Sequence, residues 1–176
     1  MRFPITSRFK TLHIDIVGPL PASSKGNTYI LSLPDRFTWW YEAIPMRTIT
    51  SAKVVDALWT HWISRFGIPN TIVSDKGTQF ESLLFNEICD ILGIQHCSTT
   101  AYHPASNGMV ERVHRTFKNS LRCLIPRFHD WERALPSALL AILTSVGDLG
   151  LSPSLVVYGE QLAIPGILLD APTTLN

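Results

Sequence analysis

The chain has 176 residues, 45% of them apolar, which suits one domain with a sizeable core. Its net charge of only +1 rules out a global basic field for holding nucleic acid, so any basic surface has to be local. Three cysteines, Cys89, Cys97 and Cys123, lack CxxC spacing and so give no disulfide framework. The longest apolar stretch, Ala134 to Leu143, is too short to span a bilayer and contains Pro136 and Ser137. The expectation is a soluble protein of a reducing compartment, neither secreted nor membrane-bound.

From the N-terminus, residues 11–17 read as a strand, and Pro19 to Asn27 as a polar turn. Residues 28–33 and 39–44 read as a strand pair, which makes the first three strands an antiparallel meander. Pro34 removes a ladder donor there and is tolerable only at a strand end or edge. Residues 51–66 read as a helix capped by Ser51 and stopped by Gly67 and Pro69. Its apolar residues Val54, Val55, Leu58, Trp59, Trp62, Ile63 and Phe66 cover about half the circumference, wider than one core stripe. Burial in a thick core accounts for that width, and so does a second apolar face for a subunit partner. Residues 71–74 read as a strand, 79–92 as a helix, 94–98 as a strand and 99–106 as a polar loop. Asn107 caps a helix that Pro126 ends, and further helices cover 130–145 and 152–158. This order predicts an α/β fold, a mixed five-stranded sheet with helices on both faces.

Three acids stand in informative contexts. Asp15 lies in the apolar run Leu12 to Val17, and Asp75 follows Thr71-Ile72-Val73-Ser74 with Gly77 just beyond. Glu111 lies in the first turns of its helix, 35 residues separating it from Asp75. A carboxylate within a sheet core is costly unless paired or metal-bound, but at a strand end it can face a cleft. Each aspartate alone is equally explained as a turn former. Carboxylates from two strand ends and one helix, meeting at one point, are the hard oxygen donors that Mg²⁺ or Mn²⁺ takes.

The helix of Glu111 has its own pattern. With Glu111 at 0°, Arg115, Lys118 and Arg122 fall within about 40° of it. Val110, Val113, Phe117, Leu121 and Leu124 form a separate apolar stripe, and His114 lies between the two as a flank residue. From Asn107 to Arg133 there are six bases against three acids, a local excess of +3. One acid followed by three bases suits a metal ligand leading into a phosphate track. It equally suits a surface ion pair between Glu111 and Arg115, worth a few tenths of a kcal/mol.

Three stretches carry a resemblance: His13-Ile14-Asp15-Ile16-Val17-Gly18-Pro19-Leu20, Ser74-Asp75-Lys76-Gly77-Thr78-Gln79-Phe80, and Ala101 to Arg112, which includes His103-Pro104-Ala105-Ser106-Asn107-Gly108. Together they resemble the catalytic core of retroviral-type integrases, above all those of gypsy-type LTR retrotransposons. The resemblance implies a ribonuclease-H-like fold over residues 11–166, with an extension at 1–10 and a tail at 167–176. It implies DNA 3′-end processing and strand transfer, with Asp15, Asp75 and Glu111 holding two Mg²⁺ or Mn²⁺ ions and no organic cofactor. His103, Asn107, Arg115, Lys118 and Arg122 are the expected contacts to element-end and target DNA. A homodimer through helix 51–66 and a nuclear location, otherwise cytoplasmic, follow from the same likeness.

Departures from the family pattern are Pro34, the Trp40-Tyr41 order, Leu143 and the short Val146-Gly147-Asp148 segment. Neither the zinc-binding module that precedes such cores nor the DNA-binding domain that follows them is seen. These features favour an alternative, a retroelement remnant that binds nucleic acid or dimerises without catalysis. A ribonuclease H is disfavoured, because helix 51–66 has no glutamate and only Asp56 as an acid.

Overall fold

The computed structural model describes residues 7–98, 104–147 and 150–165. Five strands form one sheet in the order β3-β2-β1-β4-β5. They are β1 (Thr11–Val17), β2 (Tyr29–Pro34), β3 (Tyr41–Met46), β4 (Thr71–Ser74) and β5 (Gln95–Ser98). β1 pairs antiparallel with β2 and parallel with β4, and β4 pairs parallel with β5. The expected meander and mixed sheet are therefore present. Pro34 closes β2 opposite Tyr41, at a strand end where its missing N–H does no harm.

Alternation along the strands divides the core between the two faces. Leu12, Ile14, Leu31, Leu33, Ile44 and Ile72 face α1 (Ser51–Leu58) and α3 (Leu83–Ile91). On the other face Ile30, Tyr41 and Ala43 meet α4 (Pro104–Phe128) and α5 (Trp131–Thr144). Phe117, fully buried, and Leu121 are the buried α4 side chains of this cluster, with Val113, Leu124, Ile125 and Phe128 packed around them. Burial of Phe117 or of Leu121 contributes about 1.5–3 kcal/mol.

Helix 51–66 is continuous but not uniform. α1 runs on through a π-helical turn, Trp59–Ile63, into a last turn, α2 (Ser64–Phe66). The wide apolar arc is nearly all used by the core: Val54, Leu58 and Trp62 are buried, while Val55, Ile63 and Phe66 pack against the same cluster. Trp59 is left out, 53% exposed.

Five boundary expectations are corrected. The strand expected at 39–44 lies two residues later, at Tyr41–Met46. Thr50, not Ser51, is the N-cap residue of α1. The helix expected at 79–92 begins at Leu83, because the Ser82 hydroxyl accepts from Phe85 N–H and starts it there. Asn107 does not cap α4, which starts at Pro104, so Asn107 is three residues inside it. Pro126 does not end α4 either, since the helix continues to Phe128 before His129 turns the chain with φ 58°. By contrast α5 starts on Asp130, whose side chain accepts from Glu132 N–H.

The last helix, α6 (Pro153–Tyr158), hangs on Ser152. That buried hydroxyl accepts from Leu155 N–H and also bonds Ser154 and Gln161. Ser152→Ala is expected to lower the urea-derived unfolding free energy by about 1–2 kcal/mol, with the loss of a cap and of buried partners. An unchanged denaturation midpoint would show that α6 is not part of the cooperative unit.

Candidate active site

The sheet register brings the two aspartates together. Ile14 pairs with Ser74 across parallel strands, so Asp15 and Asp75 are the next residues on neighbouring strands. Asp75 follows the end of β4, whereas Asp15 lies inside β1, paired with Ser32, and not at a strand end as expected. Asp15 shares its face of β1 with His13, away from Leu12 and Ile14, and so points to the α4 side. Asp75 is exposed, and its Oδ1 accepts from Gly77 N–H at 2.9 Å. The turn-forming role is therefore real for Asp75. A Cβ added at Gly77 would meet only side-chain ends, Gln79 Nε2 at 2.3 Å and that Oδ1 at 3.0 Å, so a larger residue there would displace the Gln79 side chain.

A groove of about 320 Å³ opens above Asp15, walled by one side of α4. Glu111, Arg115, Lys118 and Arg122 line it together with His114 and Asn119. The stripe read from helical spacing is thus a single wall, and it faces Asp15. Asp75 does not line the groove, yet its charge acts on Asp15. His103 and the side chain of Asn107 lie outside the described residues.

Electrostatics single out Asp15. Burial holds its pKa above the ordinary carboxylate value, the charge of Asp75 pushes the same way, and Lys118 opposes them. A carboxylate hindered from ionising by burial and by a neighbouring carboxylate gains most from a bound cation. The donor set therefore fits a hard divalent ion. Among the described residues, however, no three His, Cys, Asp or Glu side chains stand close enough together to hold one.

Two residues that the sequence did not mark as functional complete the floor. The Tyr41 hydroxyl lies 3.1 Å from His114 Nδ1, and His114 Nε2 lies 4.0 Å from Asp15 Oδ2. Burial, followed by the charge of Lys118, lowers the His114 pKa to about 4, so its imidazole is neutral at pH 7. A Tyr41 hydroxyl donating to Nδ1 then leaves the ring proton on Nε2, facing Asp15. No local signal gives this pairing, because 73 residues separate Tyr41 from His114.

A mixed β3-β2-β1-β4-β5 sheet clad on both faces, with a groove between β1 and α4 that holds two acids and three bases, defines the ribonuclease-H-like class. Solved structures share the fold. The HTLV-2 integrase catalytic core domain in complex with magnesium matches with a TM-score of 0.68 at 22% identity, over 84% of this chain and 95% of that one. The catalytic core domain of BIV integrase matches with a TM-score of 0.71 at 23% identity, over 86% and 95%. Residues 6–104 match the model of the integrase core domain, and the chain belongs to that family. Gag-Pol polyproteins of avian reticuloendotheliosis virus and gibbon ape leukemia virus are 39% and 38% identical to it, over 76% and 86% of the chain. The chain spans only 12% and 9% of their lengths.

Proposed function

We propose that this chain is the catalytic core of a retroelement integrase, of gypsy type by the wording of its motifs, which cuts and joins DNA ends. One observation carries the reading: Asp15 and Glu111 open into the same groove as Arg115, Lys118 and Arg122. Phosphates laid along α4 would meet three cations in succession, with the scissile one at the acidic end. Asp15, Asp75 and Glu111 would hold Mg²⁺ or Mn²⁺, two ions, supplying activation of the attacking hydroxyl and stabilisation of the leaving oxygen. The chain itself supplies positioning. Arg115, Lys118 and Arg122 hold the backbone, and the neutral His114, its Nε2 4.0 Å from Asp15 Oδ2, fills the space beside that carboxylate without adding a cation next to the metal ligands. His103 and Asn107 are proposed as further DNA contacts.

The proposal extends to a homodimer through helix 51–66, for which Trp59 is the exposed anchor, and to action on DNA in the nucleus. Two of the structural neighbours are dimeric and trimeric forms of the HTLV-2 core.

The test is Mn²⁺-dependent resolution of a branched DNA substrate by this chain and by Glu111→Gln. Strand resolution that the substitution removes supports the proposal. Inactivity of both folded proteins would favour a remnant that binds without catalysis.

Tyr41→Phe is a finer probe of the same site. It removes the hydroxyl that fixes the His114 ring and leaves every acid in place. An activity loss of about 10- to 100-fold in the same reaction is expected, the usual effect of disturbing a group behind a metal ligand. Full activity would mean that Asp15 needs no such support.

A further inference from the structure

A second cavity, of about 580 Å³, continues the groove of Asp15 and Glu111 along α4 and shares Lys118 and Arg122 with it. Its walls differ from those of the groove. Leu20, Pro21 and Ala22 of the β1–β2 connection face Leu121 and Ile125 of α4, with the His129 imidazole also in the lining. An apolar chamber entered past two cations matches a ligand with a flat apolar body and a phosphate attached.

The outer wall is fastened down. The Trp131 indole N–H donates to Pro21 O at 2.8 Å, and the Ser24 hydroxyl and N–H both donate to Asp130. Ser23 and Asn27 both donate to Glu132, at 2.6 and 2.8 Å. The β1–β2 connection is thereby tied to the start of α5. Asp130, the acid of the lining, is occupied by Ser24 and by its own helix N-terminus.

We propose that this cavity takes one unpaired nucleotide of the DNA substrate, with its base between Pro21 and Ile125 and its phosphate on Lys118 and Arg122. This rests on the reading that the groove of Asp15 and Glu111 holds a DNA end. Size favours an unpaired nucleotide: the volume falls in the range of small-molecule sites, and a duplex about 20 Å across has no room in it. Rings for the bases beside cations for the backbone are how single strands are held without regard to sequence, and His129 and Trp131 are the rings in this lining. The site would favour DNA ends carrying a single-stranded tail over blunt ends.

The experiment compares three DNAs by fluorescence anisotropy with the 176-residue chain: a blunt duplex, the same duplex with a two-nucleotide tail, and one with an abasic tail. The tailed duplex is expected to bind about tenfold tighter than the other two. Ala22→Trp, at an exposed turn position, fills the cavity and should abolish that preference while leaving blunt-end affinity unchanged. Equal affinity for tailed and abasic DNA, or a preference that survives Ala22→Trp, overturns the nucleotide pocket. If blunt and tailed DNA bind equally and Lys118→Ala weakens both, the pocket falls while the DNA-end reading stands. Absence of binding to any of the three refutes that reading, and the pocket with it.

Discussion

Asp15→Asn is expected to abolish strand resolution while making the metal-free protein more stable. The activity loss follows from the role proposed for Asp15, that of the metal ligand central to the groove. Metal stabilisation of transition-state charge is worth several kcal/mol, and each 1.36 kcal/mol is tenfold in rate, so the loss is on the order of 10³-fold. The stability gain follows from the same carboxylate. Its pKa is raised, first by burial and then by Asp75, so the folded state resists its ionisation. Stability contributed by such a group is present at low pH and declines as pH rises through the folded pKa. At pH 7 the neutral asparagine escapes that loss. In chelator the variant should therefore melt at a higher temperature than the parent. Mn²⁺ should reverse the ranking, because only the parent gains binding free energy from it. Retained activity would remove Asp15 from the mechanism. A lower melting point in chelator would show that Asp15 is structural, not a strained functional group.

The second large effect is in acid. His13 and His114 both have pKa values lowered to about 4, first by burial. Positive neighbours add to this, Arg36 and His114 for His13 and Lys118 for His114. The unfolded chain takes up these two protons near pH 6.5, whereas the folded chain holds out to about pH 4. The stability is present above pH 6.5 and is lost as pH falls toward 4. Each histidine accounts for on the order of 3 kcal/mol. Asp15 works against this trend, since its raised pKa favours the folded state in acid. The net expectation is a fall in unfolding free energy of several kcal/mol between pH 6.5 and 4. In His13→Gln the slope of that fall should be about half as steep. An unchanged slope would show that His13 is protonated, or reaches water, in the folded state.

His13 has a further mark of strain: among the described residues its buried Nε2 has no hydrogen-bond partner. On the apolar-run reading it was only the residue two before Asp15. Its burial depends on α4 and on the sheet together, and no local pattern encodes that.

Much of the rest was legible for local reasons. β1 and β4 lie at the expected residues because short β-branched and apolar runs with polar ends specify them. Asp15 and Asp75 were paired through the family likeness, and their shared location then followed from a parallel register invisible in sequence. The common stripe of Glu111, Arg115, Lys118 and Arg122 was readable from 3.6-residue spacing, but its place as a groove wall was not, since a solvated ion-pair face has the same spacing. The ends of α4 were not readable either. A proline at 126 and an asparagine at 107 are good boundary signals on propensity, but α4 packs along α5 and the sheet, and that packing outweighs them. The π-helical turn at Trp59–Ile63 had no signal either. It shifts the helix phase so that Trp62 is buried while Trp59 is not.

The two faces of the sheet are completed at different times during synthesis. By Ser98 all five strands and one helical layer have been made, but Ile30, Tyr41 and Ala43 still await α4 and α5. A ribosome-bound chain of that length holds both aspartates and an uncovered greasy surface. A product ending there would lack Glu111 and the basic wall, and it would be a substrate for chaperones and proteases. The cover of the second sheet face and the basic wall of the groove therefore arrive in the same stretch of chain, so a premature stop removes both together.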